Sequence, residues 1–235
     1  MQFAIAVTTY QRKDGSTPLI LKRALDSIFN QTYQYFKVFL IGDRYEDEDE
    51  IKKLLENYPQ DKFYFRNLDV ALERDFFDNK YALWSYGGVN ARNNCVEDAL
   101  FHGYEYVCHL DHDDWWYPEH LELINKCIED TKSDWVCTKS TYSGLERYLP
   151  YSKSNDFYIP FNPKWGTCIH SSVCMNFKKF PLRYRDIYSE TKKIGLPADA
   201  DLWERVNVFA KNNNLKCTFI NKLTCRHDEE GYERR

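Results

Sequence analysis

The chain has 235 residues, 43% of them hydrophobic and 29% charged, which allows one packed domain. No apolar run approaches the roughly 20 residues that a membrane span needs, so no transmembrane segment is expected. A formal net charge of −4 at pH 7 leaves no basic footprint, so no nucleic-acid partner is expected.

Phe3 to Val7 reads as a short buried strand ending at Thr8-Thr9-Tyr10. Met1-Gln2-Phe3 leads straight into it, so no signal peptide is expected. Ser16-Thr17-Pro18 starts a helix whose apolar face is Leu21, Ala24, Leu25, Ile28 and Phe29. Phe36 to Ile41 is a second buried strand, ending at Gly42-Asp43. The acidic run Glu46 to Glu50 reads as a solvated helix N-terminus, with acids at the positive dipole end. Ile51, Leu54, Leu55 and Tyr58 continue that helix, and Phe63-Tyr64-Phe65 is a third strand.

Leu68 to Tyr86 shows no clean period and reads as a loop or irregular helix, broken by Gly87-Gly88. Asn90 to Phe101 is a helix, and the strand after it ends at Leu110. A helix is expected from Pro118 through Cys127, then a strand at Trp135-Val136-Cys137. From Ser140 to Pro163 the pattern loosens, with hairpin-like turns at Ser143-Gly144 and Asn162-Pro163. Cys168 to Phe177 is strand-like, Pro197 precedes a helix from about Asp201 to Asn212, and Lys216 to Ile220 is the last strand. Strand and helix patterns alternate without repeat or linker, which predicts a single α/β domain. None of the eight cysteines forms a Cys-x-x-Cys pair, so no structural zinc is expected. Free thiols imply a reducing, cytoplasmic setting.

The densest chemistry lies at Leu110-Asp111-His112-Asp113-Asp114-Trp115-Trp116-Tyr117-Pro118, where an apolar strand stops at three carboxylates in four residues. Carboxylates this close repel unless a cation or a donor-rich ligand sits among them. Hard divalent ions take oxygen ligands and bridge carboxylates to substrate phosphates, so an Asp-x-Asp at a strand end suggests a metal–diphosphate site. An acidic turn capping the next helix, with Asp113 or Asp114 as N-cap, explains the same residues. Tyr10, Asp43 and the Asp111–Asp113 pair all fall at carboxyl ends of predicted strands, where open α/β sheets bind ligands.

Three segments in order carry a resemblance across almost the whole chain: Ala6-Val7-Thr8-Thr9-Tyr10, Leu25-Asp26-Ser27-Ile28-Phe29-Asn30-Gln31-Thr32-Tyr33, and Leu110 to Asp114 with Pro118. The pattern resembles the inverting family 2 glycosyltransferases of the GT-A fold. That resemblance implies a single GT-A-type domain with a Rossmann-like, mostly parallel central sheet flanked by helices. Residues 1 to about 114 would form the nucleotide-sugar half, and about 115 to 235 the acceptor half.

Carried over residue by residue, Thr8 and Tyr10 match nucleobase contacts, with Tyr10 stacking on the base. Asp43 matches the acid that accepts the base N–H, typically of uracil. Arg92 matches an arginine that reaches the nucleotide or its phosphate. Asp111 faces the ribose side and Asp113 ligates Mn²⁺ or Mg²⁺, while His112 between them is expected to point away. Asp114 is assigned to the helix cap or the acceptor rim. Trp115, Trp116 and Tyr117 are expected to wall a sugar pocket, with core packing the alternative for at least one of them. His170 is placed on the acceptor side, and His227 is a late metal or diphosphate contact. Asp199 best matches the base that takes the acceptor proton, with Asp201 as competitor or helix cap. The family often has Glu-Asp at this point, whereas this chain has Ala198-Asp199.

The implied activity is metal-dependent, inverting transfer of a sugar from a nucleotide-diphosphate donor to a hydroxyl of a glycan, glycoprotein or glycolipid. A UDP-sugar is favoured, and a dTDP-sugar presents the same base edge. The expected location is cytoplasmic, with peripheral membrane contact left open. A silent nucleotide-sugar or glycan-binding domain is the alternative from another class. A nucleotidyltransferase would want a glycine-rich first loop, and this one reads Thr-Thr-Tyr-Gln-Arg-Lys. A haloacid-type phosphatase is disfavoured because Trp115 takes the fifth position of its motif.

Overall fold

Phe3, Ile5 and Val7 alternate with Ala4 and Ala6, and all five are buried, so the first strand is covered on both faces. This is β1 (Phe3–Thr9). In the computed structural model, which describes residues 1–77, 79–142, 147–186 and 196–228, it lies inside a ten-stranded sheet. The remaining elements are α1 (Thr17–Phe29), β2 (Phe36–Gly42), α2 (Glu48–Leu55), β3 (Phe63–Asn67), α3 (Leu72–Phe76), α4 (Lys80–Tyr86) and α5 (Val89–Phe101). They continue with β4 (Tyr106–Asp111), β5 (Trp115–Trp116), α6 (His120–Thr131), β6 (Trp135–Tyr142), β7 (Arg147–Leu149) and β8 (Tyr158–Pro160). The last are β9 (Val173–Asn176), α7 (Ala198–Asn212) and β10 (Cys217–Arg226).

The sheet runs β3-β2-β1-β4-β9-β6-β10-β5, with β7 paired to β6 and β8 to β10. Its first four strands are parallel throughout. The second half mixes directions, because β9 inserts antiparallel between β4 and β6 while β6 and β10 run parallel. Phe3, Ile5 and Val7 pack with α1, α2 and α6, and Ala4 and Ala6 pack with α5 and α7. All eight cysteines are free and buried in these layers as small apolar groups. β2 lies on one side of β1 and β4 on the other, so the strand order reverses between β1 and β4. The register sets Thr8 level with Asp111 at that switch point.

Several local expectations shift. The unpatterned stretch after Leu68 contains α3 and α4, each under two turns long and so too short to show a period. α3 is stapled to α5 because the buried Glu73 carboxylate accepts the Asn90 backbone N–H at 3.1 Å. The helix expected from Pro118 begins at His120, and neither Asp113 nor Asp114 caps it, because β5 intervenes. Cys168 to Phe177 divides into a 3₁₀ turn at His170–Ser172 and β9. The next turn falls at Trp165-Gly166 rather than at Asn162-Pro163, since Gly166 takes φ +68°. The turn expected at Ser143-Gly144 lies outside the described residues. α7 starts at Ala198, one turn early, and β10 runs well past Ile220. The acidic run behaves as expected: Asp47 caps α2 by accepting the Asp49 and Glu50 N–H groups.

Gly42 sits where β2 delivers Asp43. A Cβ there would meet Asn67 Oδ1 at 2.6 Å, and the Asn67 side chain bonds both the N–H and the C=O of Tyr45 at 2.8 Å. Gly42→Ala is therefore expected to cost about 1–3 kcal/mol by overpacking, read as a lower urea midpoint at unchanged slope.

Candidate active site

A cleft of about 2010 Å³ opens at the carboxyl ends of β1, β2 and β4. Thr8, Tyr10, Asp43, Arg92, Asp111, Asp113, His170, Asp199 and His227 line it together, drawn from both halves of the chain. Ligand pockets for drug-sized molecules run to roughly 1,000 Å³, so this one has room for two reactants.

The acidic turn is built around Asp114, which is fully buried. Its N–H closes the turn onto the Asp111 carbonyl at 3.0 Å. Its carboxylate accepts from Ser171 Oγ, from the Asp228 N–H at 2.9 Å and from His227 Nδ1 at 3.0 Å. Asp114 is thus neither a helix cap nor an acceptor-rim residue but the internal anchor of the turn. Burial alone would lower His227, but the Asp114 carboxylate outweighs it and pushes this imidazole up to about 10. The contact also commits Nδ1 of His227, and in the protonated ring Nε2 is an N–H that can donate to a diphosphate oxygen but cannot ligate a metal.

Asp111 meets Arg92 at 3.1 Å and His170 Nδ1 at 3.3 Å. Burial would raise its carboxyl, yet His170 and Arg92 together hold it well below the usual carboxylate range. His170 therefore turns to Asp111, and its Nε2 lies 2.7 Å from the Tyr184 hydroxyl. Asp113 is 27% exposed, and its Oδ2 accepts from Arg12 at 2.8 Å.

His112 does not point away. Its ring stacks on Tyr10 at 5.0 Å, with Nδ1 3.0 Å from Thr9 Oγ1 and Nε2 3.3 Å from Arg12. Burial pushes this imidazole down to about 4, so it is neutral at pH 7. A guanidinium only donates, which makes Nε2 the acceptor and puts the ring proton on Nδ1. The Arg74 guanidinium lies 3.4 Å from the Tyr10 ring centroid while its Nε donates to Asp43 at 2.6 Å. Two planar groups thus already stack on Tyr10, and a base stacking there would take the place of one. Burial pushes the Asp43 carboxyl up, with Arg74 pulling the other way. Its second oxygen, Oδ1, is buried with no hydrogen-bond partner among the described residues.

The sequence matches the model of Glycosyl transferase family 2 over residues 4–191. The chain belongs to this family. It is 35% identical over 239 residues to an uncharacterised glycosyltransferase of Acanthamoeba polyphaga mimivirus, covering 98% of this chain and 95% of that one. Its fold is that of S. aureus TarS in complex with UDP-GlcNAc, with a TM-score of 0.67 at 17% identity, covering 97% of this chain. It also matches the mannosyltransferase PcManGT of Pyrobaculum calidifontis in complex with GDP-Man and Mn²⁺, with a TM-score of 0.58 at 14% identity and 99% coverage. The chain spans 58% and 59% of those two structures. It is a glycosyltransferase with the GT-A α/β fold. No helix among the described residues is long and apolar enough to cross a membrane.

Within this family frame, four of the expected site residues lie elsewhere. Trp116 is 3% exposed, stacked on His120 with its Nε1 donating to the Ser171 carbonyl, so it packs beneath the turn. Trp115 lies under the Arg23 and Arg226 guanidinium groups, and neither it nor Tyr117 lines the cleft. Asp201 is buried in ion pairs with Arg205 at 2.9 Å and Arg185 at 3.5 Å and does not line the cleft. Arg12, Arg74, His112 and Ser171 complete the site without having been singled out as site residues. Arg12 stands in the first-loop segment Thr-Thr-Tyr-Gln-Arg-Lys, which was the available signal, whereas Arg74 lies where no periodicity gave one.

Among the described residues, no three His, Cys, Asp or Glu side chains gather as a metal cage. A hard divalent ion does not require one. Mg²⁺ in phosphate sites is commonly held by one or two carboxylates, with substrate phosphates and waters supplying the rest. Asp113, a cleft-lining carboxylate with one oxygen on Arg12, fits that mode.

Proposed function

We propose that this protein transfers a sugar from a nucleotide-diphosphate sugar, with UDP as the favoured carrier, to a hydroxyl of a glycan or glycoconjugate with inversion at the anomeric carbon. The observation that carries the reading is the convergence of Asp111, Asp113 and Asp199 on one cleft at the β1/β4 switch point. Asp43 Oδ1, buried and unpartnered, suits an acceptor for a base N–H. Arg12 and Arg92 line the cleft beside the paired acids and supply planar donors for phosphate oxygens. Asp113 would hold Mn²⁺ or Mg²⁺, which offsets negative charge on the departing diphosphate.

Asp199, in the first turn of α7, accepts the proton of the acceptor hydroxyl. The acceptor oxygen then bonds to the anomeric carbon from the face opposite the diphosphate. The bond from that carbon to the diphosphate breaks, its electron pair leaving on the phosphate oxygen. TarS with UDP-GlcNAc and PcManGT with GDP-Man and Mn²⁺ share the fold and support a nucleotide-sugar donor with a divalent ion.

The test is a calorimetric and thermal-shift panel of UDP-, dTDP- and GDP-sugars, with and without Mn²⁺. For wild type, a UDP-sugar at about 100 times its Kd should stabilise the protein by about 2.7 kcal/mol, more weakly without Mn²⁺. Asp113→Ala should lose the Mn²⁺-dependent part. If a folded protein binds none of these donors, the donor-site assignment is wrong.

A further inference from the structure

We infer that the acceptor half of the cleft is a platform for a neutral oligosaccharide, on which Tyr148, Tyr151 and Trp165 stack against sugar rings. This rests on the reading of Asp199 as the acceptor-side base. The three aromatics line the same cleft as Asp199 and are 44%, 76% and 61% exposed. Large aromatic side chains left open on one concave surface mark a binding site rather than a packing surplus. Two of them are tied to neighbouring elements. Tyr148 lies on β7, which pairs with β6 at Thr141. The Trp165 N–H donates to the Glu204 carboxylate of α7 at 3.1 Å, tying its turn to the helix that carries Asp199.

The chemistry of the lining selects the occupant. Among the described residues, the exposed large apolar side chains on the cleft are Trp84, Tyr142, Tyr148, Tyr151 and Trp165, and each carries an O–H or N–H. Leu149, Pro150 and Ile169, aliphatic residues lining this half, are half-buried or buried and offer an acyl chain little open surface. A pyranose presents C–H groups on its face and hydroxyls on its rim, which matches an aromatic ring with a polar tip. The charged side chains on this half are of both signs, Lys139, Arg147 and His227 against Asp199 and Asp228, so no single-sign field selects an ionic ligand. The cleft volume leaves room for several sugar rings beyond the donor.

The experiment titrates cello-, malto-, chito- and manno-hexaose into the protein, followed by intrinsic fluorescence and calorimetry. Wild type is compared with Trp165→Ala, Trp165→Phe and Tyr151→Ala, and UDP-sugar binding is measured on the same samples. At least one hexasaccharide should bind and quench fluorescence. Each alanine variant should raise its Kd roughly three- to tenfold, with Trp165→Phe recovering most of the loss. UDP-sugar affinity and the thermal midpoint should stay at wild-type values. Absence of binding by all four hexasaccharides, or alanine variants that bind like wild type, would overturn the platform. Loss of the donor reading is separate, since it would show as no nucleotide-sugar binding by wild type.

Discussion

Asp199→Asn should lower the turnover of sugar transfer by roughly 10²–10⁴-fold while leaving nucleotide-sugar affinity within about twofold. Asparagine keeps the size of the side chain and its place in the first turn of α7 but cannot take the acceptor proton. A fall in kcat with donor Kd unchanged is the signature of a group acting only in the transition state. Single-turnover rates with calorimetry on the same samples separate the two quantities. Asp201→Asn is the control. Its carboxylate is 5% exposed and paired with Arg205 and Arg185, so its loss should appear first as a lower urea midpoint. Turnover abolished by Asp201→Asn in a stable protein, with Asp199→Asn active, would exchange the two assignments.

Asp114→Ala should destabilise the fold by about 3–5 kcal/mol, the range for removing one partner of a buried ion pair. The change strips one carboxylate from Ser171, His227 and the Asp228 N–H, leaving their donors without it. The same pair predicts a pH dependence. His227 is pushed above its unfolded value of 6.5, to about 10. A raised pKa means that the folded state holds a proton which the unfolded state releases first. This stabilisation is fully present below about pH 6.5 and is lost as pH rises through 10. Urea unfolding in chelator-containing buffer should therefore show wild type weakening between pH 6.5 and 10, and Asp114→Ala flattening that slope. A wild-type midpoint constant across this window would show that the pair does not act as described.

The centre of the scaffold was legible in the sequence because β1, β2 and β4 are largely buried on both faces and read as mostly apolar runs ending in Thr, Gly or Asp. Those ends placed Thr8, Asp43 and Asp111 without any knowledge of pairing. What could not be read is which charge answers which. Arg12 reaches Asp113 across 101 residues, Arg74 reaches Asp43 across 31, and His227 reaches Asp114 across 113. No local period encodes such contacts. Trp115 and Trp116 do not wall the cleft because Trp116 packs on His120 beneath the turn and Trp115 is covered by Arg23 and Arg226, contacts that no local period encodes. Resemblance alone ranks Asp199 above Asp201 as the base candidate, and α7 includes both. Two residues apart on a helix point to different sides, one to the cleft and one to Arg205.

The continuation of β10 past Ile220 has a bearing on how the protein is made. Trp115 pairs with Arg226, Asp114 bonds the Asp228 backbone, and Arg23 of α1 meets Asp228 at 2.5 Å. The carboxylate turn and α1 are therefore closed by a segment that is synthesised 114 residues after Asp114. Until residue 228 has emerged, Asp114 stands without its histidine and the two halves lack their shared clasp. The parallel strands β1 to β4 can associate earlier, but the cleft is not clasped until residue 228 has emerged.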